Sequence, residues 1–185
     1  MRITRNLHTD QENLKRFVTA LGGAAVELGH SKRAKPAFFI LANDFIHEYV
    51  EGGFFKKEEL LIKVLEDNGF SPNEGPILAM RTDQKKSRDA AKLLINALKQ
   101  WQTGDENART EVSWAASQYT SALRQHLDRL KNLIFPLLEQ TISEDEQHKV
   151  SESLTNIVFE GSMKNDTEKY IKIIGSLEEE LSDWK

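Results

Sequence analysis

An all-α bundle of four long helices, with further helices toward the C-terminal end, is the fold class this sequence predicts, and three observations predict it. Apolar residues recur at steps of three and four through most of the chain, the spacing that gathers side chains into one stripe of a helix. No stretch shows the period-two alternation of a half-buried strand. The breaks between stripes are short and carry Pro at helix starts and Gly at helix ends, so successive helices are expected to be antiparallel neighbours. At 185 residues the chain has the size of one domain with a substantial core. A single domain over 1–185 is expected, with a helical extension from about 143 to 185.

Thr9-Asp10-Gln11-Glu12 has the form of a capping box, which predicts a first helix from there to about Gly29, its inner face formed by Gln11, Leu14, Val18, Leu21, Ala25 and Leu28. Gly22 and Gly23 weaken that helix by about 1 kcal/mol each relative to alanine. Pro36 suits the first turn of a second helix, with Phe38, Leu41, Ala42, Phe45, Ile46 and Tyr49 inward. Gly52-Gly53 interrupts the pattern and predicts a kink or a change of phase before Phe54-Phe55-Lys56-Lys57-Glu58-Glu59, and Asn68-Gly69 ends the helix. Pro76 opens a third helix with Ile77, Met80, Gln84, Ala91, Ile95 and Leu98 inward. The fourth runs from about Ala108 to Gln140, through Ala116, Tyr119, Leu123, His126, Leu127, Leu130, Ile134 and Leu137, and Pro136 must kink or unwind it locally. Ser143-Glu144-Asp145-Glu146 caps a short helix through Val150, Leu154, Ile157 and Val158. Another begins near Asn165-Asp166-Thr167-Glu168 and carries Tyr170, Ile173, Ile174, Leu177 and Leu181 to brace the bundle. There is no internal repeat and no low-complexity segment.

Composition narrows the function. The chain has no cysteine, which excludes disulfides, thiolate-ligated metals and a cysteine nucleophile. A net charge of −4, with both signs interspersed, gives no basic stripe for a nucleic-acid backbone. Phosphate-binding glycine loops and the serine elbow of hydrolases are absent, and no nucleophile stands with a base, so no enzymatic activity is expected. No apolar run reaches bilayer length and none leads the chain, so a soluble, cytoplasmic protein without a membrane partner is expected.

Each long helix sets a polar residue where its stripe calls for an apolar one: Gln11, then Glu58 or Glu59, then Gln84, then His126. Buried polar groups cost roughly 1 to 3 kcal/mol each if unpaired, so these four must meet one another, a water or an ion near the bundle axis. Two amides, a carboxylate and an imidazole supply two good transition-metal donors, which favours a hydrogen-bonded cluster over a metal centre. The remaining histidines, His8, His30, His47 and His148, fall near helix ends or on mixed faces and are expected at the surface. Trp101, Trp114 and Trp184 belong either to the core or to an interface with a protein partner or a second copy.

The order of motifs resembles the bacterial hemerythrin-like family of HHE cation-binding bundles, over nearly the whole length. The family's opening Leu-x-x-Glu-His is similar to Leu7-His8-Thr9-Asp10-Gln11. Its second-helix Phe-Ile and His-His-x-Lys-Glu-Glu-x-Leu-Leu-Phe resemble Phe45-Ile46 and the run from Phe54 to Ile62. Its Gly-Pro-Ile-x-x-Met followed by Glu-His-x-x-x-Arg resembles the run from Gly75 to Arg88. Its Leu-Arg-Gln-His-Ile-x-Lys-Glu-x-x-Val-Leu-Phe-Pro is tracked by the run from Leu123 to Pro136. Ser143 to Gln147 then looks like the family's Ser-x-Glu-Glu-Gln.

The resemblance implies an up-down four-helix bundle whose axis would hold a non-haem di-iron centre of histidines and bridging carboxylates. Carried over residue by residue, it puts Gln11, Phe54 and Gln84 where the family has ligand histidines, and Leu130 where it has the last glutamate. His126 and a second-helix glutamate remain, in the register Phe54/Glu58 or Phe55/Glu59. A buried glutamate without iron is expected either protonated or paired with His126. The expectation is a bundle with a degenerate metal site, no cofactor, and a binding or regulatory role toward an unidentified ligand. The alternative is a protein that binds iron or another divalent metal, through Glu58, Glu59 and His126 with Asp10, Asp83 or His47, for O2, NO or iron sensing or storage. Against it, Asp10 and Asp83 stand one residue from former ligand positions, and that step of about 100° is expected to aim them away from the site.

Overall fold

The computed structural model describes residues 2–157 and 167–185. The described residues form helices α1 (Arg2–Glu27), α2 (Pro36–Phe45), α3 (Phe55–Asp67), α4 (Gly75–Gln102), α5 (Ala108–Arg129), α6 (Phe135–Thr141), α7 (Glu144–Thr155) and α8 (Glu168–Trp184). No strand occurs among them. The fold is the predicted all-α bundle with extra C-terminal helices. Four rods make the bundle: α1, the continuous run from α2 through α3, α4, and the run from α5 through α6. The α4 and α5 rods share the longest contact, α1 packs on α5, and α2 packs on α4.

The joints within the second and fourth rods are π-helical, over Ile46–Phe54 and Leu130–Ile134. There the backbone bonds reach back five residues, from the Phe55 N–H to the Val50 carbonyl and from the Phe135 N–H to the Leu130 carbonyl. The first joint contains Gly52-Gly53, where a change of phase was expected. The second directly precedes α6, whose first turn holds Pro136; a widened turn relieves the clash of a proline ring with the carbonyl four residues back.

One boundary needs correcting. Thr9 does not cap the first helix, because α1 begins at Arg2 and Thr9 lies inside it. Ile3 and Leu7 are fully buried, so the apolar stripe starts two turns before the apparent capping box, and α7 packs on α1. The Ser143 cap stands as expected, its hydroxyl accepting from the Glu146 N–H at 3.2 Å. Gly69 at φ 91° closes α3 while the Phe70 N–H reaches the Leu65 carbonyl and the Gly69 N–H reaches that of Glu66, a Schellman ending.

The C-terminal helices sheathe one side of the bundle. α7 lies on α1 and α3, and α8 lies on α1 and α2. α8 buries Tyr170, Ile174, Leu177, Leu181 and Trp184, with the Trp184 ring 4.8 Å from Phe38. Gly23 has a packing role here, because a Cβ on it would meet Leu181 at 2.9 Å. Trp101 and Trp184 are core residues, whereas Trp114 is 59% exposed. Val158, Asn165 and Asp166 lie outside the described residues. Among the described residues no helix is long and apolar enough to cross a membrane.

Candidate functional site

Glu58 and His126 meet at the centre of the bundle, both fully buried. α3 delivers Glu58 after the π joint, and α5 delivers His126 one turn before the second joint. His126 Nε2 stands 2.7 Å from Glu58 Oε1 and 2.8 Å from Oε2. On the other side of the ring, Nδ1 lies 3.3 Å from Asp83 Oδ2. A ring that serves two carboxylate acceptors donates from both nitrogens, and that form is imidazolium. Burial pulls the His126 pKa down, but the carboxylates of Glu58 and Asp83 outweigh it and raise it to about 9.

The other partners complete a closed set. Arg129 Nε donates to Asp83 Oδ2 at 2.7 Å. Burial pushes the Asp83 carboxyl up, yet the hydrogen bonds from His126 and Arg129 hold it below the ordinary aspartate value. Gln84 Nε2 donates to Glu58 Oε2 at 2.9 Å, and its Oε1 is buried with no hydrogen-bond partner. The edge-on ring of Phe55 lies 5.8 Å from the His126 ring, and the Arg88 guanidinium stands over Phe55 while its Nε bonds Glu51. Two anions, Glu58 and Asp83, thus face two cations, His126 and Arg129, behind an aromatic wall.

A second polar cluster lies between α1 and the second rod. The Tyr49 hydroxyl donates to Asp10 Oδ1 at 2.8 Å and accepts from Asn13 Nδ2 at 3.1 Å, while Lys57 Nζ bonds Asp10 Oδ2 at 2.6 Å. Burial, with Asp10 alongside, pushes the Tyr49 hydroxyl far above its ordinary pKa.

The positions singled out from sequence separate clearly. Glu58, Gln84 and His126 come together. Glu59 is on the surface, paired with Arg81. Phe54 and Leu130 are fully buried hydrocarbon, and Gln11 is buried outside both clusters. His8, His30, His47 and His148 are exposed. The expected aim of Asp83 is corrected, because it is buried and bonds His126 itself, whereas Asp10 is buried in the second cluster, away from Glu58 and His126. A residue one step off the axis sits on the seam between helices, from which a short carboxylate reaches a neighbour's cation. Arg129, Asn13, Tyr49 and Lys57 were not singled out as polar partners; Arg129 and Asn13 stand three residues from His126 and Asp10, a same-face spacing that could have found them, whereas no spacing points to Tyr49 or Lys57.

The fit to a metal pair can be judged on donors alone. Glu58 spends both oxygens on His126, Asp83 faces the opposite ring nitrogen, and two of the remaining ligand positions are hydrocarbon. Among the described residues no three His, Asp or Glu side chains converge as a metal-holding group. The residues present do not fit a di-iron centre.

The family model for the hemerythrin HHE cation-binding domain matches residues 2–138. The chain belongs to the hemerythrin family. The match ends within α6, so α7 and α8 lie beyond the hemerythrin domain. No curated protein and no solved structure gave a match.

Proposed function

We propose that this hemerythrin-family bundle has given up the di-iron centre and serves as a binding or regulatory module. The observation that carries the proposal is the paired engagement of Glu58 by His126, which puts an internal cation where a ligand set would hold a metal. A metal cage emptied with all its ligands in place would be a nest of unpaired polar groups; hydrocarbon at Phe54 and Leu130 and an amide at Gln84 relieve that penalty. No catalytic chemistry is assigned to the bundle, and its setting is taken as cytoplasmic, without nucleic acid or membrane.

A second reading, a metal-binding protein with a rearranged site, draws support from the unpartnered buried oxygen of Gln84 beside Glu58 and His126. Elemental analysis of protein made in iron-supplemented medium separates the two. Well under one metal per chain is expected. Two irons with a visible charge-transfer band would overturn the proposal, and one metal per chain that disappears in His126→Asn would establish the second reading.

A further inference from the structure

Asn68-Gly69 is the one Asn-Gly dipeptide of the sequence, and it stands where the end of α3 meets α7. The Asn68 amide nitrogen spends both hydrogens there, donating to the Val64 carbonyl at 2.9 Å and to Glu146 Oε1, in the first turn of α7, at 3.1 Å. Gly69 is exposed, its N–H on the Glu66 carbonyl at 3.0 Å, while the Phe70 N–H holds the Leu65 carbonyl at 3.1 Å. The amide is thus a clasp between α3 and a helix that lies beyond the hemerythrin domain.

An asparagine followed by glycine is a reactive pair, because no Cβ on the second residue obstructs approach of its backbone nitrogen to the side-chain carbonyl carbon. That nitrogen gives up its proton and bonds Cγ, the Cγ–Nδ2 bond breaks, and Nδ2 leaves as ammonia. Water then opens the cyclic imide at either carbonyl, giving aspartate or isoaspartate, and no oxidant or cofactor is consumed. We propose that Asn68 is a self-modification site that acts as a one-way latch on α7: docked α7 protects the asparagine, and conversion of the asparagine releases α7. Ring closure must take the Gly69 nitrogen off Glu66 and turn the amide away from Val64 and Glu146, so it proceeds only when the end of α3 opens. After conversion, a carboxylate that only accepts stands where Nδ2 donated. It faces the Val64 carbonyl at the negative end of α3, and it faces Glu146, whose turn also carries Glu144 and Asp145. Isoaspartate also lengthens the backbone by a methylene, which breaks the paired Gly69 and Phe70 bonds that close α3. The Asn6 amide still donates to the Ser151 carbonyl at 2.8 Å, so the first turns of α7 are the part set free.

The full chain, aged in mildly alkaline buffer, tests both halves, with isoaspartate at position 68 read by peptide mapping and α7 read by amide exchange. Conversion is expected at least about tenfold slower in the folded chain than in the same chain held in denaturant. Glu146→Ala should speed conversion of the folded chain about two- to tenfold, the worth of one hydrogen bond. Asn68→Asp should raise exchange in the first half of α7 by more than Asn68→Ala, which loses the same bonds without adding charge, and should leave α8 unchanged. Conversion as fast in the fold as in denaturant, or as slow in Glu146→Ala as in wild type, would overturn the proposal. So would an Asn68→Asp variant whose α7 is no looser than that of Asn68→Ala.

Discussion

The two buried polar clusters solve one problem in different surroundings. Around His126 every group is 2% exposed or less except the Arg129 side chain, and two anions share two cations. Around Asp10 a single carboxylate meets Lys57, whose side chain is 14% exposed, and the rest of the cluster is a phenol and an amide. The tripeptide Thr-Asp-Gln occurs in both, as Thr9-Asp10-Gln11 on α1 and Thr82-Asp83-Gln84 on α4. In each case the aspartate pairs with a cation from a neighbouring helix, but only Gln84 joins its network. A carboxylate inside this bundle thus takes a protein cation wherever it stands, and depth decides how much depends on it.

The sharpest break in that comparison is removal of the anion. Glu58→Gln leaves a buried imidazolium with one carboxylate fewer and should cost about 3 to 5 kcal/mol in chemical denaturation. Asp10→Asn should cost about 1 to 3 kcal/mol, because Lys57 can turn toward water. Equal losses at the two sites would remove burial as the deciding variable.

Next in size is the pH dependence. His126 has a folded-state pKa raised to about 9, so its stabilisation is complete below the unfolded value of about 6.5 and is lost as pH rises through about 9. The limb should amount to roughly 3 kcal/mol. Asp83, held low, adds stability that is present above the ordinary aspartate value and is lost in acid. Denaturation midpoints measured from pH 6 to 10 should fall in the wild type and stay flat over that window in His126→Gln; parallel curves would show that the imidazole is not charged in the fold.

Tyr49→Phe is the smallest of these. It deletes one buried hydroxyl that both donates and accepts, for about 1 kcal/mol, and a loss as large as that of Asp10→Asn would mean that Tyr49, rather than Lys57, holds the carboxylate.

Much of this was legible in the sequence, and the limits are physical. Helical period, proline and the Ser143 cap located the rods, and the glycine pair and Pro136 marked both π joints. The start of α1 was misplaced because a capping box is a local signal, and burial of Ile3 and Leu7 against later elements outweighs it. The stripe of α5 put His126 inward, and of the two states expected for a buried glutamate without iron, protonated or paired with His126, the pairing is the one observed. Whether that glutamate was Glu58 or Glu59 depended on the phase across Gly52-Gly53, which the number of residues in the widened turn sets. Asp83 and Asp10 were discounted on angle alone, since helical spacing gives direction from one axis and says nothing of which cation waits across the seam.

The adjacency of Lys57 and Glu58 has one more consequence. Consecutive residues point about 100° apart around a helix, so α3 reaches toward α1 with one and toward α5 with the next. A roll of α3 in either direction would stretch both contacts, since neither can follow the other's partner. α3 is therefore keyed against rotation by two teeth of opposite charge, and a ligand that pulled Glu58 away from His126 would be felt at Asp10 as a loosened hold on α1.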